Sequence, residues 1–250
     1  MRISVLASGS KGNCTYIETN DNKILIDVGM TNMYIEKKLI DLGVDPNSIN
    51  CVLITHTHID HIAGLRVFVK RHHPTVYLTL KMYQELKDII SDYFIIEDDI
   101  NIGDTTIKYF KTSHDASDSV GYIISSIDKS VVYVTDTGYI NSKYFKILAD
   151  KNIYIFESNH DVKLLMDNPH YPYNIKQRIL SDRGHLSNKD SSYYLSKFVG
   201  KNTKTIVLAH LSEQNNDPIL AKETLINEIQ NDNINILIAE QNEKTELIEI

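Results

Sequence analysis

Apolar residues recur at every second position in short runs rich in Ile, Val and Tyr, the spacing of strands with at least one buried face. In the first half these runs predict strands over residues 3–7, 14–19, 23–28, 51–55, 75–78, 105–110, 120–125 and 131–135. Helical spacing separates some of them. Residues 32–42 form one such stretch, closed by Gly43 as a C′ glycine and followed by Asp45-Pro46. Residues 63–71, which stop short of Pro74, and residues 80–92 are two more. The second half alternates differently. Residues 153–157 and 205–209 read as buried strands; 141–149, 173–181, 189–199 and 218–231 read as helices, with Ser187-Asn188 as an N-cap. Two closing strands, 235–239 and 245–250, flank a polar turn. Hairpins followed by helices, twice over, predict an α/β fold in four layers, αββα, with two mixed sheets face to face and helices outside. Residues 1–250 read as a single domain.

Composition narrows the setting. With 42% hydrophobic and 24% charged residues the chain is neither disordered nor fibrous. Its longest apolar runs are too short to span a membrane, and the N-terminal stretch is too short for a secretory signal. Two cysteines, Cys14 and Cys51, sit in strand-like contexts as reduced core thiols, which predicts a cytoplasmic protein without a membrane partner. Acidic residues exceed basic ones, 33 to 26, for a net charge of −7, so broad electrostatic coating of nucleic acid is disfavoured. Ten histidines point elsewhere.

The densest chemistry is Thr55-His56-Thr57-His58-Ile59-Asp60-His61, directly after the apolar run at 51–55. Two histidines two residues apart at a strand's end can point the same way, and the following turn brings Asp60 and His61 to a second position close by. Imidazole and carboxylate donors suit Zn²⁺, Fe²⁺ or Mn²⁺ better than Ca²⁺ or Mg²⁺. Four such donors crowd one ion, so the motif suggests two.

H-x-H-x-D-H after a strand resembles the signature of the metallo-β-lactamase superfamily, and the resemblance covers essentially the whole chain. It implies that Asp27 supports the metal loop structurally. It implies His56, His58 and His114 as ligands of one divalent ion, and Asp60, His61 and His210 of a second, with Asp136 bridging. A bridging hydroxide would then attack, with Asp60 as general base. Ser8-Gly9-Ser10-Lys11-Gly12-Asn13, Glu157-Ser158-Asn159-His160-Asp161 and Gly184-His185-Leu186-Ser187-Asn188 together look like the YycJ (WalJ) family, cytosolic members linked to 5′→3′ DNA exonuclease activity. That narrower resemblance implies a nuclease acting on DNA, with RNA as the alternative nucleic acid and no organic cofactor. His185 would touch the scissile phosphate or protonate the leaving oxygen. Ser10 and Asn13, in a Gly/Ser-rich turn able to cradle an oxyanion, with His160 and Arg178, are the expected substrate contacts. The competing reading is a thioester or lactone hydrolase of the same fold, because the same hydroxide attacks carbonyl carbon.

Overall fold

A computed structural model describes residues Met1–Ile250. Along one central strand Val131 and Tyr133 enter one apolar cluster while Val132 and Val134 enter another, because successive side chains leave a strand on opposite faces. The two strands beside it, in one direction, sort their residues the same way: Ile153 and Ile155 against Tyr154 and Phe156, then Val207 and Ala209 against Ile206 and Leu208. The first cluster fills the space between the two sheets and continues under the helices that cover the first sheet, through residues such as Ile35, Leu39 and Phe68, and the second lies between the second sheet and its covering helices. Each fully buried Ile, Val or Phe contributes roughly 1.5–3 kcal/mol.

The first sheet contains β1 (Arg2–Ala7), β2 (Cys14–Glu18), β3 (Lys23–Ile26), β4 (Cys51–Leu53), β5 (Thr75–Leu78) and β6 (Tyr93–Ile95). The second contains β7 (Ile100–Ile102), β8 (Thr105–Lys111), β9 (Val120–Ser126), β10 (Lys129–Val134), β11 (Ile153–Glu157), β12 (Thr205–Ala209) and β13 (Asn235–Ile238). The last strand, β14 (Ile248–Glu249), returns to pair with β1, so each sheet has seven strands. Between them run α1 (Asn32–Ile40), α2 (Ile59–Ile62), α3 (Leu65–His72), α4 (Leu80–Leu86), α5 (Phe145–Leu148), α6 (Val162–Asp167), α7 (Tyr173–Ile179), α8 (Asn188–Phe198) and α9 (Pro218–Ile229).

Both sheets change character midway. Strands β1 to β3 and β7 to β10 pair antiparallel, whereas β3 to β6 and β10 to β13 pair parallel. Within each parallel set all carboxyl ends therefore lie at one edge, the usual place for ligands in such sheets. The expected four-layer αββα sandwich is the observed fold.

The elements differ from expectation where they are short. Strand β4 stops at Leu53, because the chain leaves the sheet to carry the histidine motif. The helix expected at 141–149 divides into a 3-10 turn, Ser142–Tyr144, and α5. The helix expected at 80–92 ends at Leu86, and the strand expected at 245–250 is only β14. Strands β6 and β7 and helices α2 and α6 carry too few buried positions to show a period, and Tyr93 and Phe94 of β6 are exposed. No helix is long and apolar enough to cross a membrane.

Candidate metal centre

The site starts from Asp27, which follows β3 with left-handed backbone, φ 59°. Its carboxylate accepts the Thr55 N–H and the Thr55 hydroxyl, each at 2.8 Å, and faces His61 Nδ1 at 2.7 Å. Burial pushes this carboxyl up, and His61 and the Thr55 bonds only partly offset that. Fixing Nδ1 turns the other ring nitrogen of His61 inward, 3.2 Å from Asp136 Oδ2 and 3.5 Å from Asp60 Oδ2.

Asp136 follows β10 and His210 follows β12, both again left-handed, φ 56° each. One Asp136 oxygen faces His61. The other lies 3.7 Å from His114 Nε2 and 3.7 Å from His210 Nε2. His58 Nδ1 is 3.3 Å from His114 Nε2, and the ring centroids of His56 and His58 are 4.6 Å apart. Donor atoms within 4.8 Å of one another form the groups His56, His58, His114 and Asp60, His61, His210, with Asp136 meeting His56 and His61 in a third. The expected ligand residues thus converge as two trios with one carboxylate between them.

This donor set fits divalent cations. His56 Nε2, His210 Nε2 and Asp136 Oδ2 are buried without a hydrogen-bond partner, an arrangement costly unless something positively charged is to be held there. Electrostatics agree. Burial opposes ionisation of Asp60, but His210 and His61 outweigh it and hold the carboxyl below its usual range. Burial also disfavours a charged His210, yet Asp136, Asp60 and Glu157 push it up to about 10. The carboxylates draw positive charge into the site.

Glu157, at the end of β11, is fully buried and organises the far wall. Its Oε2 accepts the N–H groups of Thr137 (3.0 Å) and Leu186 (3.2 Å). Its Oε1 faces His185 Nδ1 at 2.7 Å and His210 Nδ1 at 3.0 Å. Burial works against this carboxylate, but His185 and His210 bring it down to about 2. Both histidines therefore present Nε2 away from Glu157, and His185 lines the cleft.

The expected substrate contacts divide. Ser10 and Arg178 line the cleft. Asn13 and His160 do not: Asn13 is buried, with Nδ2 3.0 Å from His61 Nε2 and a 3.0 Å bond to the Gly9 carbonyl, so it braces His61. His160 is 1% exposed, and its backbone carbonyl accepts from Asn188 at 2.9 Å, which ties the end of β11 to α8. A histidine three residues past a strand gives no sign of which way it turns, and here the strand's path carries it inward. Arg178 is engaged with Asp115, a cleft residue not anticipated from sequence, whose buried Oδ1 lies 3.3 Å from His114 Nε2. Its place directly after His114 was the available signal. Arg183 also lines the cleft and donates to the His114 carbonyl at 3.3 Å.

The resulting cleft has a volume of about 290 Å³ and opens over both trios. Two facing mixed sheets with histidine and aspartate donors at their carboxyl edges define a metallo-hydrolase class, and residues 7–210 match the sequence profile of the metallo-β-lactamase superfamily. The chain belongs to that superfamily and is a metal-dependent hydrolase. It is 37% identical over 239 residues to exodeoxyribonuclease WalJ of Streptococcus pneumoniae, covering 91% of this chain and 88% of WalJ. It is 35% identical over 229 residues to exodeoxyribonuclease YycJ of Bacillus anthracis, covering 89% and 86%. Within the superfamily it groups with these WalJ/YycJ proteins. Among solved structures, the metallo-β-lactamase fold protein YhfI of Bacillus subtilis matches with TM-score 0.74 at 17% identity, covering 98% of both chains. Zn²⁺-bound PqqB of Methylobacterium extorquens matches with TM-score 0.72 at 12% identity, covering 98% of this chain and all of PqqB. At those identities the likeness is one of fold.

Proposed function

We propose that this chain is a dinuclear metal-dependent exonuclease acting on DNA. The observation that carries the reading is Asp136 standing between two histidine-containing trios, with His185 held beside them by Glu157. His56, His58 and His114 would hold one ion, Asp60, His61 and His210 the other, and Asp136 both. Zn²⁺, Mn²⁺ and Fe²⁺ all suit these donors. Such ions supply Lewis-acid stabilisation of a phosphoryl oxygen and lower the pKa of water.

The protein's own groups do the rest. Asp27 fixes His61, and Glu157 fixes His185 and His210, so the donors need no rearrangement. Asp60, one-fifth exposed, can accept a proton from the attacking water. His185 Nε2, free of Glu157, can donate one to the leaving oxygen. Ser10 and Arg183 bind and orient the phosphate chain. The names of the WalJ and YycJ relatives support DNA over RNA and over a thioester or lactone. Both cysteines are buried free thiols, which supports a cytoplasmic site of action, and one catalytic unit spanning residues 1–250 is the simplest organisation.

End-labelled DNA and RNA and S-lactoylglutathione, offered to Mn²⁺- or Zn²⁺-loaded protein, test this. Cleavage of DNA from an end is expected, reduced at least about a hundredfold in Asp60→Ala. Thioester turnover exceeding all phosphodiester cleavage would contradict it.

A further inference from the structure

Three of the seventeen residues lining the metal cleft are apolar, and all three come from one segment: Tyr171, Ile175 and Ile179. They are spaced four apart, so they form one stripe on and just before α7. A surface helix ordinarily turns such a stripe to the core. Here the buried residue of α7 is instead Lys176, whose Nζ donates to the Met166 carbonyl at 2.6 Å. The helix has put its lysine inside and left its isoleucines facing the cleft. The only Lys or Arg side chains lining the cleft, Arg178 and Arg183, flank the same stripe.

An apolar wall edged by two guanidiniums beside a phosphodiesterase centre matches one chemistry: a flat, uncharged ring system attached to an anionic chain. We propose that this stripe is a platform for the base of the terminal nucleotide, which leaves the DNA stack to lie on it. The inference rests on the nuclease reading and adds how the end is held. The stripe offers bulk and a face, with the Tyr171 hydroxyl as its only side-chain hydrogen-bonding group, so it would accept any base. It also implies that a duplex end must fray before it is cut.

The test compares end-labelled DNA whose terminal nucleotide is intact with the same DNA carrying an abasic tetrahydrofuran there. Wild-type enzyme should cut the intact end faster by about five- to a hundredfold, the usual span for loss of one stacked base. Ile175→Ser should bring that preference to near unity by slowing only the intact substrate, with thermal melting confirming the fold. Should Ile175→Ser fail to fold, Tyr171→Ala carries the same expectation. Equal wild-type rates on the two DNAs would overturn the platform alone. So would a folded Ile175→Ser protein that keeps the full preference. Failure to cut either DNA would overturn the nuclease reading and the platform with it.

Discussion

Seven residues other than glycine hold left-handed backbone, and three of them are Asp27, Asp136 and His210. Such conformations cost roughly 1–2 kcal/mol each for L-residues. Strain of this kind persists where the surroundings over-determine it, and it clusters at functional sites. Asp27 and His210 follow a strand directly and Asp136 lies one residue further on, so a sharp left-handed step aims each side chain across the sheet edge instead of along it. His160 shows the opposite economy. It is buried, and neither ring nitrogen has a partner. Burial pushes it down to about 4, so it is neutral when folded at pH 7. Between pH 6.5 and 4 the unfolded chain takes up a proton that the folded chain refuses, so stability falls as pH falls through that window. The loss is up to about 3 kcal/mol. Chemical denaturation at pH 6.5 and pH 4.5 should therefore show a smaller drop for His160→Phe than for wild type. Parallel losses would contradict this account of His160.

The histidine motif is held at the level of elements by a three-way junction. The Asn13 N–H donates to the Asp60 carbonyl, the Gly29 N–H to the Asn13 carbonyl and the Val28 N–H to the His61 carbonyl, each at 2.8 Å. The β1–β2 turn, the end of β3 and helix α2 thus lock together through backbone alone. Gly29 sits at the crossing: a Cβ there would lie 1.7 Å from the Asp60 carbonyl oxygen and 2.6 Å from the Asn13 nitrogen. Since the obstacle is backbone on both sides, Gly29→Ala should cost about 3 kcal/mol or more, lowering Tm by roughly 6–12 °C, with metal binding weakened in parallel. A variant that melts within a degree or two of wild type would show the junction to be loose. Strands such as β10, β11 and β12 were legible because both faces are apolar and buried, and the candidate donors were legible because each comes within a few residues of a strand's carboxyl end. The junction was not, since a close approach between residues 13, 29 and 60 leaves no mark on local periodicity. Short exposed β6 and the inward turns of Asn13 and His160 were hidden for the same reason: their positions are set by tertiary contacts.

Across the whole molecule, each half is a hairpin running into parallel strands, and the two halves bring their carboxyl edges to a common cleft. Asp27 closes the third strand of the first half as Asp136 closes the corresponding strand of the second. One fixes His61 and the other stands between the two trios. A formal charge of −7 disfavours binding to DNA in general, but the acidic surplus includes Asp60, Asp136 and Glu157, gathered at the centre. Two divalent ions would add four positive charges at the one place a phosphate must enter. Elemental analysis of metal-reconstituted protein, run alongside cleavage of end-labelled DNA, tests that count. Wild type should bind two ions per chain; Asp60→Ala should retain about one and lose cleavage with the second. One ion or none in a fully active wild type, or two ions and full cleavage in Asp60→Ala, would contradict a two-metal site that depends on Asp60.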